Sequence, residues 1–433
     1  MSTDDSRPVP QSRLARAAGL GRLTTATLAN AAVTASGQLI RGQRPDARSS
    51  FVTPANITRL TRELSRMRGA AMKLGQLMSM ESADMLPPEL AQIMARLRAE
   101  AAPMPPAQLK QRLVESYGSD FRARFTSFDP RPIAAASIGQ VHRATARDGR
   151  KLALKIQYPG IRQSIDSDIA NLGSLLRLSR LLPADVDLDR LLGDARDQLH
   201  AEADYLLEAR NLRQASTLLD GTPDFIVPTP HEDLSTPHIL AMGFIDSHPL
   251  EETALPDQAS RDLAMTRLFD LFLRELFDWG VVQTDPNLAN YRIDPAGRLV
   301  LLDYGAARDY ATDRIVQMRQ LLRATITGDG FAEAMADNGY TAPDTTDAQW
   351  DSLHQIAGLV KDALSTDADF NFADTRALEQ ARRLGQRLTL EQGYSRLPPT
   401  DVLLLQRKLA GLVLMATRLG AQVPLGRLVK PYL

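Results

Sequence analysis

Cysteine is absent from this chain of 433 residues, which excludes disulfides, thiolate nucleophiles and zinc–thiolate sites together. Histidine is scarce: there are six, no two spaced H-x-x-x-H, so a histidine-based metal centre is not expected. An excess of one charge is missing too. Fifty-one basic side chains face 52 acidic ones, and a net charge of −1 argues against a nucleic-acid-binding chain. Long apolar runs are lacking. Residues 23–40 carry no charge, but they are mostly Ala and Thr with Asn30 and Gln38 among them, and 409–417 is too short to span a bilayer. The start, MSTDDSRPVPQS, has no apolar core behind a basic end and predicts no signal peptide. What remains, 44% hydrophobic and 24% charged, is ordinary globular composition, enough for two or three lobes.

The charge that is present is unevenly placed. Residues 1–80 hold twelve basic side chains and only four acidic ones, on an otherwise acidic body. Such a segment suits an anionic membrane surface or an acidic partner; the plainer alternative is a solvated, Arg-rich helix face. Residues 23–40 read as a helix that packs on protein or lies at a membrane surface.

Four segments follow along the chain. Residues 1–50 form a basic, Ala-rich extension broken by Pro8, Pro10 and Pro45. Residues 51–130 read as helical, with Leu60, Leu64, Met67, Ala71, Leu74 and Met78 on one stripe, and with helices expected at 89–100 and 107–117. At 131 the texture changes. IGQVHRATARDGRKLALKIQ (138–157) alternates, turns at Asp148-Gly149 and alternates again, which predicts a β-hairpin. Helices are expected at 160–182 and 188–219, and short strands at 225–227 and 238–245. A small sheet-bearing lobe therefore covers 131–242 and a larger helical lobe 243–433. The latter is led by the apolar helix 261–279, with short strands at 291–293 and 299–302 and helix to the end from about 311.

Four features occur in a telling order. Lys155 ends the apolar strand LALK, and an inward lysine needs anionic partners. The helical stretch HAEADYLLEARN supplies Glu202, Asp204 and Glu208; Asp204 and Glu208 are four apart, so either could meet that lysine. Asp285 and Asn290 have D-x-x-x-x-N spacing in a loop behind the apolar helix. Asp303-Tyr304-Gly305 ends the strand LVLL thirteen residues after Asn290. A loop aspartate, an asparagine five residues on and an aspartate at a strand end are what a Mg²⁺-nucleotide requires. The first carboxylate orients the nucleophile, while the amide oxygen and the second carboxylate hold metal against the phosphates. Where a protein kinase has G-x-G-x-x-G, this chain has Ala134-Ala135-Ala136-Ser137-Ile138-Gly139-Gln140. Alanine takes positive φ only at a cost and limits the approach of backbone to phosphate.

These residues resemble the UbiB, or AarF-domain, family of atypical protein kinases, from about residue 8 to the C-terminus. Lys73, Gly75 and Gln76 fit its K-x-G-Q motif, 134–140 its alanine-rich loop, and Glu202 with Asp204 its E-x-D motif. The resemblance implies an α+β, protein-kinase-like, two-lobed fold: a small β-sheet N-lobe and a helical C-lobe with an added N-terminal helical extension. It assigns Asp285, Lys155 and Glu208, the partner of Lys155, to catalysis, and Asn290 and Asp303 to metal. Ala134, Ala135, Ala136, Ser137, Gly139, Lys155 and Met242 are assigned to the nucleotide. Lys73, Gly75, Gln76, Glu202 and Asp204 would form a cover over the cleft, with Lys73 paired to Glu202 or Asp204.

ATP or ADP and Mg²⁺ are the cofactors the resemblance implies. The partners are an isoprenoid or quinone-like lipid and an anionic membrane surface, with no nucleic acid; a homodimer, or a complex with lipid-biosynthesis enzymes, is also open. The function expected is an atypical kinase or ATPase supporting ubiquinone or other isoprenoid-lipid biosynthesis. Alternatives are a soluble small-molecule kinase and a non-catalytic, nucleotide-gated lipid-binding scaffold. Two departures stand out: Asp285-Pro286-Asn287-Leu288-Ala289-Asn290 lacks the family's second proline and glycine, and no A-P-E segment follows Gly305. The latter argues against a conventional peptide kinase. The excess of Arg over Lys suggests a bacterial source, and the expected location is cytoplasmic and peripherally membrane-associated.

Overall fold

A computed structural model describes residues 103–136, 138–179, 188–251, 254–396 and 398–433, with Leu64, Met67, Gly69, Ala70, Ala71, Lys73 and Leu74. The expectations for residues 1–50, for the helix at 89–100, and for Gly75, Gln76 and Ser137 lie outside the described residues. Of the stripe read upstream, Leu64, Met67, Ala71 and Leu74 are buried. The chain forms two compact units. One contains the described residues up to Arg213 together with Thr229–Phe244; the other contains Gln214–Pro228 and Ile245–Leu433.

The first unit contains helix α1 (Pro106–Tyr117), whose proline sits in the first turn, where its missing N–H leaves no helical bond unmade. A four-stranded antiparallel sheet follows, ordered β1 (Phe125–Ala135), β2 (Gly139–Ala146), β3 (Lys151–Gln157) and β5 (Ile239–Gly243). The hairpin expected at 138–157 is β2–β3. Gly149 takes φ +88° in its turn, where Asp148 accepts from the Arg150 N–H. Strand β1 is additional: it carries Pro130 and Pro132 and mostly exposed side chains, a pattern that does not read as a strand. It lies at the sheet edge and breaks register between Phe128 and Pro132, which is how a strand accommodates proline.

Helix α2 spans Ile161–Ser179, but the single helix expected at 188–219 is two, α3 (Leu188–Glu202) and α4 (Tyr205–Leu218). The break has a local cause. The Asp204 carboxylate accepts from the Leu207 N–H at 3.0 Å, an N-cap that starts a new helix where the apolar spacing alone runs on.

In the second unit a four-stranded sheet has the order β4 (Phe225–Ile226), β9 (Leu299–Leu301), β8 (Tyr291–Ile293) and β6 (His248–Pro249). Helix α5 (Gln258–Arg274) begins at Asp257, which accepts from the Ser260 N–H, and buries Met265, Leu268, Phe269 and Phe272. It ends in a π turn, Glu275–Trp279, closed by Gly280 at φ +66°. Strand β7 (Val281–Gln283) follows and pairs with β10 (Ala307–Asp309), which the sequence did not announce. Beyond it lie α6 (Thr312–Thr327), α7 (Phe331–Asp337), α8 (Asp347–Leu364), α9 (Arg376–Gln386), α10 (Thr400–Leu419) and α11 (Leu425–Val429). The expectation of helix to the end is corrected by β11 (Phe370–Asn371) pairing with β12 (Gln422–Val423). Ala324, Phe331, Met335, Leu353 and Leu388 form a local core that joins α6, α7, α8 and the π turn after α9.

Candidate active site

Strand β3 is buried along nearly its whole length, so a lysine in it must find an acid. Lys155 pairs across the sheet with Val141 on one side and Leu240 on the other. Its Nζ donates to both carboxylate oxygens of Glu208, at 2.7 and 2.9 Å. The glutamate lies in the first turn of α4 and is wholly buried; the lysine is 8% exposed. Of the two acids that sequence spacing left open for Lys155, Glu208 is the one in contact, because Asp204 is engaged in starting the helix.

A second ion pair lies in the same unit. Lys73, 2% exposed, donates to Glu202 at 2.5 Å. Asp204 stands 4.0 Å from Arg162 instead.

The alanine-rich segment is only partly a loop. Ala134 and Ala135 end β1, paired with Val141 and Gln140, and the Ala136 N–H donates to the Gly139 carbonyl at 2.8 Å. The reason for glycine at 139 is contact with protein. A Cβ there would stand 2.6 Å from the Ile156 carbonyl oxygen and 2.7 Å from the Tyr205 hydroxyl. Gln140 accepts from the Met104 N–H at 2.8 Å, and Met242 is buried in β5 opposite Ala153.

The remaining site residues lie in the second unit. The Asn290 amide nitrogen donates to the Asp285 carbonyl and to its carboxylate Oδ2, each at 3.3 Å. Leu288–Asn290 forms a short 3₁₀ turn started by Asn287, whose side chain accepts from the Ala289 N–H. The Asp303 carboxylate accepts from the Gly305 N–H at 2.9 Å. Two further bonds tie these loops together: the Leu302 N–H to the Asn290 carbonyl at 3.0 Å, and the Thr284 hydroxyl to the Ala306 carbonyl at 2.8 Å. Asn290 and Asp303 line one cavity with Glu275, Gln283 and Lys408.

These donors fit a hard divalent cation. The Asn290 nitrogen is directed at Asp285, so the amide oxygen is the atom this side chain can offer, beside the Asp303 carboxylate. Among the described residues no group of three or more Asp, Glu, His or Cys is placed to hold a metal ion by itself. Nucleotide-bound magnesium is commonly held in this way, by one or two protein oxygens together with phosphates and several waters.

Sequence reasoning missed the polar group beneath this loop. Lys408, in α10, donates to the Gln283 amide oxygen at 3.0 Å and to the Tyr291 hydroxyl at 2.5 Å. Burial disfavours its charge, but Tyr291 and Glu275 outweigh that and hold the ammonium above its ordinary value. Burial also pushes the Glu275 carboxyl up to about 7, against the pull of Lys408 and of the Gln283 N–H. The available signal was a lysine standing immediately before the apolar stretch LAGLVLMAT.

A strand lysine bound by both oxygens of a helix glutamate defines the first unit as a kinase-like lobe. With the loops of the second unit, the class of protein is kinase-like. The ABC1 atypical kinase-like domain matches residues 96–335. The chain is 34% identical to the atypical kinase COQ8, mitochondrial, of Saccharomyces cerevisiae, over 98% of this chain and 85% of the yeast protein. It is 32% identical to the atypical kinase coq-8, mitochondrial, of Caenorhabditis elegans, over 99% of this chain but only 58% of that protein's length. A solved structure, the complex of Rv3197 with erythromycin from Mycobacterium tuberculosis, matches with a TM-score of 0.60 and 25% identity, over 87% of this chain and 95% of that one. The chain belongs to the ABC1 atypical kinase-like family, which includes the UbiB and AarF-domain kinases.

The relatives also correct the expected location. From the sequence, a cytoplasmic, peripherally membrane-associated bacterial protein is expected, whereas the yeast and nematode relatives are eukaryotic proteins named as mitochondrial. Among the described residues no helix is long and apolar enough to cross a membrane.

Proposed function

We propose that this protein is a nucleotide-dependent atypical kinase or ATPase that supports ubiquinone or other isoprenoid-lipid biosynthesis, with an isoprenoid or quinone-like lipid as its partner. The observation that carries the nucleotide part is the Lys155–Glu208 pair. A buried ammonium held by both oxygens of a buried carboxylate keeps one orientation, as a group that meets phosphate must. The UbiB resemblance supports the lipid part.

Lys155 binds the α- and β-phosphates, and Glu208 fixes its direction. Asp285 accepts the proton of the attacking hydroxyl or water, and Asn290 holds that carboxylate in place through its amide nitrogen. Asn290 and Asp303 would hold Mg²⁺, which neutralises charge on the phosphates when bound. The missing A-P-E segment supports a substrate other than a docked peptide.

Thermal unfolding with and without Mg²⁺-ATP tests the assignment. A ligand at a hundredfold its Kd stabilises by about 2.7 kcal/mol. Lys155→Ala and Asp303→Asn should abolish that shift, while Asp285→Asn keeps it and loses phosphate release. An undiminished shift in Asp303→Asn would refute the metal assignment. Wild-type protein that binds nucleotide but releases no phosphate, with or without a soluble ubiquinone analogue, would favour a nucleotide-gated scaffold.

A further inference from the structure

Helix α10 begins more than a hundred residues after Asp285, yet it touches the loop that carries Asp285 and Asn290 at three places. At the front, Arg407 donates to the Thr284 carbonyl at 3.1 Å, and Lys408 donates to the Gln283 side chain. In the middle, Gly411 lies against Pro286, the residue after Asp285. A Cβ at 411 would stand 2.2 Å from the Pro286 Cβ and 2.7 Å from its Cγ. At the rear, the same Lys408 nitrogen donates to the hydroxyl of Tyr291, the residue after Asn290, at 2.5 Å.

We infer that α10 sets the position of the 283–291 loop, and that Lys408 is a positioning residue for phosphoryl transfer, stapling the two ends of the loop together. The argument is chemical. Burying an ammonium is a poor way to gain stability, since apolar side chains of similar volume usually serve as well or better. Its advantage is geometric: an ammonium carries three donors on one atom and can hold two acceptors from different residues at once. Here those acceptors flank the D-x-x-x-x-N segment. The Glu275 carboxyl lines the same cavity. Gly411 completes the arrangement, because any side chain at 411 would push on Pro286 and so on Asp285.

The inference rests on the phosphotransfer reading above for its effect on rate, but not for its effect on the loop. Three variants separate the possibilities. Lys408→Met fills the space without donors, Lys408→Arg restores donors, and Gly411→Ala leaves every side-chain bond intact while adding a methyl against Pro286. Two measurements are made on the full chain: kcat and KM for phosphate release from Mg²⁺-ATP, and amide hydrogen exchange across 284–291. Lys408→Met should lower kcat at least tenfold with KM within threefold. Lys408→Arg should recover part of that loss, and Gly411→Ala should lower kcat with KM unchanged. Exchange in 284–291 should accelerate at least tenfold in Lys408→Met and Gly411→Ala and stay unaltered in β2 and β3.

Folded variants with unchanged exchange in the loop overturn the inference, whatever the rates. Accelerated exchange confined to the loop in a protein whose wild type releases no phosphate upholds the positioning by α10 and overturns the phosphotransfer reading instead. If Lys408→Met does not fold, Gly411→Ala carries the test alone.

Discussion

Replacing Glu275 with glutamine should flatten the pH dependence of stability. Glu275 opens the π turn after α5, is 2% exposed, and has its carboxyl pushed up to about 7 from an ordinary 4.5, chiefly by burial. In the unfolded chain it ionises near the ordinary value. A carboxyl raised on folding contributes stability that is fully present below pH 4.5 and is lost as the pH climbs through 7. Each unit of pKa difference corresponds to about 1.4 kcal/mol. From pH 5 to pH 8 the wild type should therefore lose about 2–3 kcal/mol through this one group. Glutamine keeps the shape and cannot ionise, so the variant should lose that much less over the same interval. Urea unfolding at pH 5, 6, 7 and 8, followed by the fluorescence of Trp279 and Trp350, reports on the right part of the molecule, since both tryptophans lie in the second unit. Parallel stability curves for the two proteins would refute the reasoning.

Gly139→Ala should lower the melting temperature, because the added methyl overlaps the Ile156 carbonyl and the Tyr205 hydroxyl; overpacking of this kind costs about 1–3 kcal/mol. Since β3 also carries Lys155, the stabilisation by Mg²⁺-ATP should shrink with it, and a full nucleotide shift in a folded Gly139→Ala protein would show that β2 and β3 adjust independently. Lys73→Met removes the buried partner of a part-buried ion pair, so the midpoint of denaturation should fall beyond what a surface lysine would give. An unchanged midpoint would mean that the Lys73–Glu202 contact contributes nothing to folding.

How much of this was legible in the sequence depends on the range of the signal. The β2–β3 hairpin was written locally, in alternation on both sides of Asp148-Gly149, and it appears in the fold with that turn. Strand β1 was hidden, because Pro130 and Pro132 contradict a strand unless it lies at an edge, and being at an edge is a tertiary fact. The division between α3 and α4 turned on one side chain. Apolar spacing runs through 188–219 unbroken, and only the Asp204 cap shows that two helices meet there. D-x-x-x-x-N and the aspartate after LVLL could be read as short patterns, while Gln283, Tyr291 and Lys408 could not. The lysine lies 117 and 125 residues from its acceptors, and no local pattern relates them.

That separation bears on how the protein is made. A chain leaves the ribosome from its N-terminus at about 5–20 residues per second. The segment holding Asp285 and Asn290 is thus complete several seconds before Lys408 and Gly411 have been added. Until then its ends have no staple, and a transcript cut short before residue 400 would encode Lys73, Glu202, Lys155, Glu208 and every residue of the D-x-x-x-x-N loop, yet lack the helix against which that loop is held. Assembly of the chemistry is deferred to nearly the last stretch of the chain, so a nascent or prematurely terminated product carries the residues without their arrangement.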